Sequence, residues 1–266
     1  MTAGATFTPI LCNGGVSTIT ASSTNGTAPI QYKLNAGTYS TSNTFTNVAA
    51  GTYTITAKDA VNATATTLVT INQPTLISVG APSYTTPLCA GGTGSIQISS
   101  SGGTGTKTYT ISPLGPQSNT TGTFTGLTAQ TYTITVTDAN ACTQTTTATM
   151  TQPIPILLGS PSVTAPLCAG GTGSVQLTAT GGTGTKTYSI TPLPQSNTTG
   201  IFTGLTAQFY TITVADANNC SVVTSVSVSS PAAIAFISPS LTNPVCNGGT
   251  NGAIQIIATG GTGTKF

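Results

Sequence analysis

The chain has 266 residues and few that ionise: five are Lys or Arg, three are Asp or Glu, and none is His. All five bases are Lys and all three acids are Asp. Most enzymes move protons or activate nucleophiles with His, Glu, Asp or Lys, and zinc, copper and iron sites commonly use His. Nucleic-acid binding needs many Lys and Arg side chains against phosphate. The composition therefore argues against an enzyme, a cofactor or metal site, and a nucleic-acid partner, and the formal net charge of +2 directs no particular partner.

Charged residues make up 3% of the chain, whereas ordinary globular domains have about 25%. Thr, Ser, Asn and Gln must therefore keep the surface wet. Such a surface has little charge repulsion, which favours packing against copies of itself, and it can equally carry glycans. Disorder is not expected, because hydrophobic residues make up 37% of the chain and alternate with Thr. We expect no membrane insertion, since no apolar run reaches about 18 residues. The segment Met1–Thr6 does not look like a secretory signal, so a secreted protein would be a mature or excised piece.

One opening motif recurs along the chain. It reads Ile10-Leu-Cys-Asn-Gly-Gly, Pro87-Leu-Cys-Ala-Gly-Gly, Pro166-Leu-Cys-Ala-Gly-Gly and Pro244-Val-Cys-Asn-Gly-Gly. The spacing of roughly 78 residues suits an independent seven-strand sandwich better than a solenoid coil. Pro-marked junctions follow at Gln73-Pro74, Gln152-Pro153 and Ser230-Pro231. The sequence thus predicts domains at 1–73, 74–152 and 153–230, followed by the first strands of a fourth at 231–266.

The strands of one repeat can be read in chain order from the second. A first strand region lies within 76–88, and further strands are predicted at 95–99, 107–111, 122–127, 130–137 and 143–150, with a Gly-Gly-Thr-Gly turn at 102–105. From Thr131 to Thr137, Thr alternates with Tyr132, Ile134 and Val136, as in a half-buried strand. No segment has a helical period. We therefore predict an all-β fold of tandem antiparallel sandwiches forming an elongated rod, with four tyrosines in the cores: Tyr109, Tyr132, Tyr188 and Tyr210.

Three kinds of motif together resemble one known repeat. They are the Cys-Asn/Ala-Gly-Gly openings, the Gly-Gly-Thr-Gly turns, and closing segments such as Gly51-Thr-Tyr-Thr-Ile-Thr-Ala-Lys-Asp-Ala and Thr211-Ile-Thr-Val-Ala-Asp-Ala-Asn-Asn-Cys. In this order they resemble the SprB-type repeat of giant surface adhesins in gliding Bacteroidetes, along the whole chain. The resemblance implies immunoglobulin-like sandwiches, export to the bacterial cell surface, and a role in adhesion or gliding.

Six cysteines leave several pairings open. Cys89 with Cys142 and Cys168 with Cys220 give one couple in each complete repeat, and a loop of about 50 residues would stabilise a small sandwich by roughly 3–4 kcal/mol. A rival pairing joins Cys142 to Cys168 and Cys220 to Cys246 across the junctions, and free thiols are a third interpretation. Cys12 and Cys246 are expected to be unpaired or intermolecular, because Ala63 stands in the place of the first repeat's second Cys and the fourth repeat stops early.

Each complete repeat also has one Asp and one Lys in a fixed place. Asp138 and Asp216, like Asp59, open a turn of Asx type between the last two strands. A calcium site would need more carboxylates than one per domain. The Gly-Gly-Thr-Gly turn and the Asp turn are expected at the same pole of the sandwich. Lys107 could then form an ion pair with Asp138, and Lys186 with Asp216, worth about 0–1 kcal/mol. An isopeptide crosslink is the rival interpretation. Lys265 matches this lysine in the fourth repeat.

The segment 231–266 is the most unusual part of the sequence. Ile254, Ile256 and Ala258 would present an apolar face with nothing opposite, and an isolated pair of strands is marginal in water. Either the chain continues or another chain supplies the missing strands, so these residues are a candidate subunit joint, with strand complementation by or of 231–266.

Two function classes therefore lead. One is the tandem-repeat stalk of a cell-surface adhesin, and the other is the subunit of an extracellular head-to-tail filament. A carbohydrate-binding, lectin-like module that recognises cell-surface or matrix glycans is the alternative. The absence of Trp and of paired acids makes it less favoured.

Overall fold

The structure is a computed structural model that describes residues 1–113, 115 and 117–264. The regular structure in this part of the chain is entirely β-strand, and every strand pair is antiparallel. The predicted all-β, antiparallel fold class is therefore confirmed. Lys265 and the end of the predicted fourth domain lie outside the described residues.

Sandwich 1 has two three-stranded sheets. Their strand orders are β1-β2-β4 and β3-β5-β6. The strands are β1 Thr2–Phe7, β2 Ser17–Thr24, β3 Gln31–Leu34, β4 Thr44–Val48, β5 Gly51–Lys58 and β6 Thr64–Ile71.

Sandwich 2 has a four-stranded sheet, β12-β11-β14-β15, a three-stranded sheet, β13-β9-β8, and a short pair, β10-β7. The strands are β7 Ser78–Val79, β8 Ser83–Thr85, β9 Gly94–Gln97, β10 Ser100–Ser101, β11 Thr108–Ser112, β12 Gln117–Asn119, β13 Thr123–Leu127, β14 Thr131–Thr137 and β15 Thr143–Thr149.

Sandwich 3 repeats this arrangement as β21-β20-β23-β24, β17-β18-β22 and β16-β19, and a separate pair, β25-β26, follows it. The strands are β16 Leu157–Leu158, β17 Ser162–Thr164, β18 Gly173–Gln176, β19 Ala179–Thr180, β20 Thr187–Thr191, β21 Gln195–Asn197, β22 Ile201–Leu205, β23 Gln208–Ala215, β24 Ser221–Val228, β25 Ala235–Thr242 and β26 Ala253–Thr259.

Each sandwich has its own hydrophobic core, built by alternation along the strands. In β14, Tyr132, Ile134 and Val136 are fully buried while the intervening Thr side chains face outward. Thr suits this position because its branched Cβ favours extended backbone and its hydroxyl stays wettable. The four tyrosines expected in the cores are all buried.

A tyrosine near the start of the equivalent strand in each sandwich ties that strand to the preceding corner. The hydroxyl of Tyr132 donates to the carbonyl oxygen of Thr128 at 2.9 Å. Tyr210 donates to Thr206 at 3.1 Å and Tyr53 to Ala49 at 3.0 Å. This tyrosine corner is a hallmark of immunoglobulin-like sandwiches.

The chain groups into two compact units. Unit 1 comprises Met1–Thr86 and Thr93–Met150, and therefore holds sandwiches 1 and 2. Unit 2 comprises Pro87–Gly92 and the described residues from Thr151 onward, and holds sandwich 3 and the β25-β26 pair. The loop Pro87–Gly92 thus groups with unit 2, although the strands on either side of it belong to sandwich 2. The domain boundaries read from the sequence remain predictions.

Candidate functional site

We call the loop between the last two long strands of each sandwich the closing loop. The aspartate at the start of this loop holds two turns together. In sandwich 2, Oδ1 of Asp138 accepts the backbone N–H of Asn140 and of Cys142, both at 2.9 Å, which shapes the loop 138–142. Its Oδ2 accepts the N–H of Thr104 at 2.8 Å, in the Gly-Gly-Thr-Gly turn. Asp216 makes the same three bonds in sandwich 3, and Asp59 makes them in sandwich 1.

The turn that meets this carboxylate needs glycine. Gly103 has φ +60°, and a Cβ there would lie 2.9 Å from Oδ2 of Asp138 and 2.8 Å from Cγ1 of Ile77. Left-handed backbone is costly for residues with a side chain. Gly182 stands in the same relation to Asp216. The repeated Gly-Gly-Thr-Gly motif therefore provides backbone room for the aspartate.

These contacts fix which loops share a pole of the sandwich. The strand β9 begins after the opening loop of Cys89 and runs towards the turn 102–105, which is bonded to Asp138. The opening loop and the closing loop therefore lie at opposite poles of sandwich 2. The segment 94–101, which holds β9 and β10, covers about seven residue steps, and at the rise of a β-strand it separates the poles by roughly 23 Å.

The opening and closing loops of one sandwich lie at opposite poles and do not bond to each other. Instead, the opening loop of one repeat forms a disulfide with the closing loop of the next repeat. In unit 1, Cys12 forms a disulfide with Cys142, with a Cα–Cα distance of 5.6 Å. We call the opening loop 8–16, the closing loop 138–142 and the junction Gln73-Pro74 the first clasp.

Three hydrogen bonds support the disulfide of the first clasp. Asn140 Nδ2 donates to the carbonyl oxygen of Leu11 at 3.0 Å, across the two loops. The N–H of Gly14 donates to Gln73 Oε1 at 2.7 Å, and Asn13 Nδ2 donates to the carbonyl oxygen of Pro74 at 2.9 Å. The opening loop thus contacts both the junction and the closing loop.

A second clasp with the same parts lies within unit 2. The opening loop 87–92 is bonded to the closing loop 216–220 by the Cys89–Cys220 disulfide, whose Cα–Cα distance is 5.5 Å. Asn218 Nδ2 donates to the carbonyl oxygen of Leu88 at 3.1 Å, and the N–H of Gly91 donates to Gln152 Oε1 at 2.7 Å. The same disulfide, asparagine and junction glutamine therefore recur.

Both disulfide pairings expected from the sequence are wrong. Cys89 does not bond to Cys142, nor Cys168 to Cys220, and the physical reason is the separation of the poles, since a disulfide needs Cα atoms within about 7 Å. Pairing across adjacent junctions, Cys142 with Cys168 and Cys220 with Cys246, is also wrong, because Cys142 and Cys220 are already bonded elsewhere. Cys12, expected to be unpaired or intermolecular, is bonded within the chain.

Two cysteines remain as thiols in the part of the chain that the structure describes. Cys168 and Cys246 are both exposed, and each lies in an opening loop. The closing loop of sandwich 1 has Ala63 at the cysteine position, and its N–H still donates to Asp59 Oδ1 at 2.8 Å. The loop shape therefore depends on the aspartate rather than on the cysteine.

The lysines contribute less to the closing loops than the backbone does. The N–H of Thr104 is the largest cause that holds the pKa of Asp138 below its ordinary value, with smaller contributions from Cys142 and Asn140 against desolvation, and the charge of Lys107 acts least. The pKa of Asp216 is lowered by the same kinds of contact, with the N–H of Thr183 as the largest cause and the charge of Lys186 as the smallest. Lys186 Nζ donates to the carbonyl oxygen of Gly184 at 3.0 Å. The aspartates therefore serve as turn-forming groups.

Open clefts of about 280 and 410 Å³ lie beside the first and second clasps. Asp138 lines the first, but both of its oxygens already accept backbone N–H groups. Within residues 1–113, 115 and 117–264, no group of three metal-ligating side chains comes together. No helix in the same residues has the length and apolar character to cross a membrane.

The β25-β26 pair carries large apolar side chains that the other described residues leave exposed. Ile254 is 67% exposed and Ile256 is 63% exposed. Ile96 and Ile98, at the matching places in sandwich 2, are 0% and 2% exposed. Ala258 lies on the same strand and is half-buried. Phe236 on β25 is 75% exposed and lines an apolar hollow with Ile256.

Comparison with known protein families finds one model that matches two segments of the chain. The family model described as SprB repeat matches residues 160–194 and 238–264. The resemblance to the SprB-type repeat is therefore confirmed at these two segments. No curated protein sequence matches the chain.

Several solved structures share a general likeness at low identity. One is the Down Syndrome Cell Adhesion Molecule, N-terminal eight Ig domains, with 13% identity, 83% of this chain covered and a TM-score of 0.37. This chain spans 40% of that protein's length. Another is Dpr2 Ig1-Ig2 in complex with DIP-Theta Ig1-Ig3, with 7% identity, 85% and 99% of the two chains covered, and a TM-score of 0.32. A third is the surface layer protein SbsC, domains 1-6, with 13% identity, 96% and 48% covered, and a TM-score of 0.28.

Proposed function

We propose that this chain is an extracellular structural segment, the tandem-repeat stalk of a bacterial cell-surface adhesin, and that it is not an enzyme. The observation that carries the proposal is the repeated clasp, a disulfide from each opening loop to the closing loop of the following repeat. Disulfides persist in oxidising, extracellular surroundings. The SprB repeat match supports the adhesin assignment, and cell-surface glycans remain candidate ligands.

The two disulfides overlap along the chain, which suits a segment under tension. Cys89 lies inside the loop closed by Cys12 and Cys142, and Cys142 lies inside the loop closed by Cys89 and Cys220. The shortest covalent path from Cys12 to Cys220 crosses both disulfides and includes only the roughly 50 residues between Cys142 and Cys89. At about 3.4 Å per extended residue this path is about 17 nm long, against about 70 nm for the reduced chain.

Single-molecule pulling on the two ends of the chain tests this mechanical role. We expect the oxidised protein to stop extending after the short path is released, and a Cys12→Ser, Cys89→Ser variant to extend by several tens of nanometres more. A Cys168→Ser variant is the matched control and should behave as the parent. Equal extension of the oxidised parent and the double variant would contradict the proposal.

The uncovered β25-β26 pair favours a second candidate, the subunit of an extracellular filament. Electron microscopy of the purified chain in non-reducing buffer separates the two. Discrete particles that do not grow when concentrated support the stalk. Continuous fibres that disappear when Ile254 and Ile256 are replaced by Thr would favour the filament instead.

A further inference from the structure

The opening loop around Cys168 already has the conformation of the opening loop around Cys89, which is disulfide-bonded. Residues 166–174 and 87–95 have the same sequence. Gly170 and Gly91 have φ +75° and +76°, and the N–H of Gly171 donates to the carbonyl oxygen of Cys168 at 3.1 Å, as Gly92 does to Cys89 at 3.0 Å. The loop is therefore preformed and needs no rearrangement to accept a partner.

The two loops differ in what covers them. Leu88 is 67% exposed in the second clasp, whereas Leu167 is 86% exposed, and Cys89 is half-buried whereas Cys168 is exposed. Cys12 and Cys89 hold the equivalent place in the two repeats before Cys168, and each is bonded to the cysteine of a closing loop. The partner that an opening-loop cysteine takes twice in this chain is thus a closing-loop cysteine.

An independent feature of unit 2 points to the same kind of partner. The apolar residues of β26 match those of segment 95–98, where Ile96 and Ile98 are buried in one core with side chains of β11, β13, β14 and β15. The closing loop with Cys142 joins β14 to β15. The segment that covers this face and the segment that supplies the bonding cysteine are therefore one segment.

We propose that Cys168 and the β25-β26 face form a single acceptor site for one β segment with the pattern of residues 186–230, whose closing loop reads Asp-Ala-Asn-x-Cys. The segment completes a fourth sandwich on β25 and β26, and its cysteine bonds to Cys168 as a third clasp. The two thiols lose two protons and two electrons to a small disulfide, such as glutathione disulfide, which leaves as two thiols.

The occupant lies outside the three sandwiches already present. The matching strands of residues 1–230 are packed in their own cores, and Cys142 and Cys220 are already bonded. The remaining closing loop has Ala63 and cannot form the bond. A second folded copy of these sandwiches therefore does not provide the thiol that the site requires.

The third junction differs from the first two in one respect. Ser230 stands where Gln73 and Gln152 accept an N–H from the opening loop. The third clasp therefore depends on the disulfide and the closing-loop asparagine without the junction glutamine.

A graft on the full chain tests the proposal. A copy of residues 188–230 is fused directly after Phe266, which places Lys265 in register with Lys186, and the protein is folded in a glutathione redox buffer. We expect non-reducing peptide mapping to show Cys168 linked to the grafted cysteine, and thiol labelling of Cys168 to be lost. Cys246 should stay fully labelled as an internal reference. Hydrogen exchange at 253–259 should slow.

Two further variants separate the parts of the proposal. A graft whose cysteine is replaced by alanine, as at Ala63, should still slow exchange at 253–259 while leaving Cys168 labelled. A second graft, residues 109–152 with Cys142, guards against a folding failure peculiar to the first. A linkage of the grafted cysteine to Cys246, or protection of 253–259 without linkage to Cys168, would overturn the proposal. The proposal would also be overturned if, with both grafts, Cys168 stayed labelled and hydrogen exchange at 253–259 stayed fast.

Discussion

Segment 95–98, which includes most of β9, and the start of β26 have nearly the same sequence and opposite surroundings. Ser95-Ile-Gln-Ile in sandwich 2 buries both isoleucines, and Ala253-Ile-Gln-Ile in the β25-β26 pair exposes both. The opening loops show the same division, since Cys89 is bonded and Cys168 is a thiol. A repeat motif therefore determines which side chains of a segment can be buried or bonded. Whether they are buried or bonded depends on the strands and loops that face them.

Removing the disulfide of the first clasp should lower the free energy of unfolding more than any other change proposed below, whereas removing the free thiol of Cys168 should not change it. The Cys12→Ser, Cys142→Ser variant loses a loop of about 130 residues, which the chain-entropy model values at roughly 5 kcal/mol in the free energy of unfolding. Urea unfolding followed by circular dichroism of the oxidised protein measures this change. Cys168→Ser is the control and should leave the midpoint unchanged. An unchanged midpoint in the double variant would mean that the clasp does not stabilise unit 1.

Truncating the paired isoleucines should sharpen the comparison of the two strands. Ile96→Ala leaves a cavity in a closed core and should lower the free energy of unfolding of sandwich 2 by about 2–4 kcal/mol. Ile254→Ala removes a side chain that is already in water, so it should change stability by less than about 0.5 kcal/mol. Calorimetry on both variants measures the two effects side by side. Similar losses would show that the β26 face is covered in solution.

The sequence predicted the strands better than it predicted the clasps. Alternation identified Thr131–Thr137 because its period shows directly which side chains are buried. It missed β12, Gln117–Asn119, because this short polar strand has no apolar alternation. The cysteine pairing failed because spacing along the chain does not show which pole a loop occupies. The shared pole of the Gly-Gly-Thr-Gly and Asp turns was inferred from topology, and it places the opening loop at the other end of β9. That step excludes a Cys89–Cys142 bond.

Acid should weaken the complete sandwiches by a route that the β25-β26 pair lacks. The folded-state pKa of Asp59, Asp138 and Asp216 lies below the ordinary value, chiefly because backbone N–H groups bond to the carboxylates. A depressed folded pKa adds stability that is fully present above the unfolded value, about 3.9, and is lost as pH falls through the lower folded pKa. We therefore measure the thermal unfolding midpoint from pH 6 to pH 2, and we expect it to decrease once the pH is lower than about 4.

Asp138→Asn tests which group causes the acid response. The amide cannot accept all three N–H bonds as a carboxylate does, so the midpoint of sandwich 2 should be lower at pH 6 and should fall less on acidification. Residues 231–264 contain no Asp, so hydrogen exchange at 253–259 should show no such step. A parent-like acid response in the variant would point to another titrating group.

Replacing Lys107 should have the smallest effect and should decide between an ion pair and a turn as the role of Asp138. Lys107→Met keeps most of the side-chain stem and removes the charge, and surface ion pairs are typically worth about 0–1 kcal/mol. Because Asp138 already accepts three backbone N–H bonds, we expect the urea midpoint at pH 7 to change little, and much less than in Asp138→Asn. Lys186→Met in sandwich 3 is the matched repeat of the test. A loss equal to that of Asp138→Asn would instead make the lysine an essential partner of the carboxylate, and the backbone bonds alone would then be insufficient to hold the closing loop against its clasp.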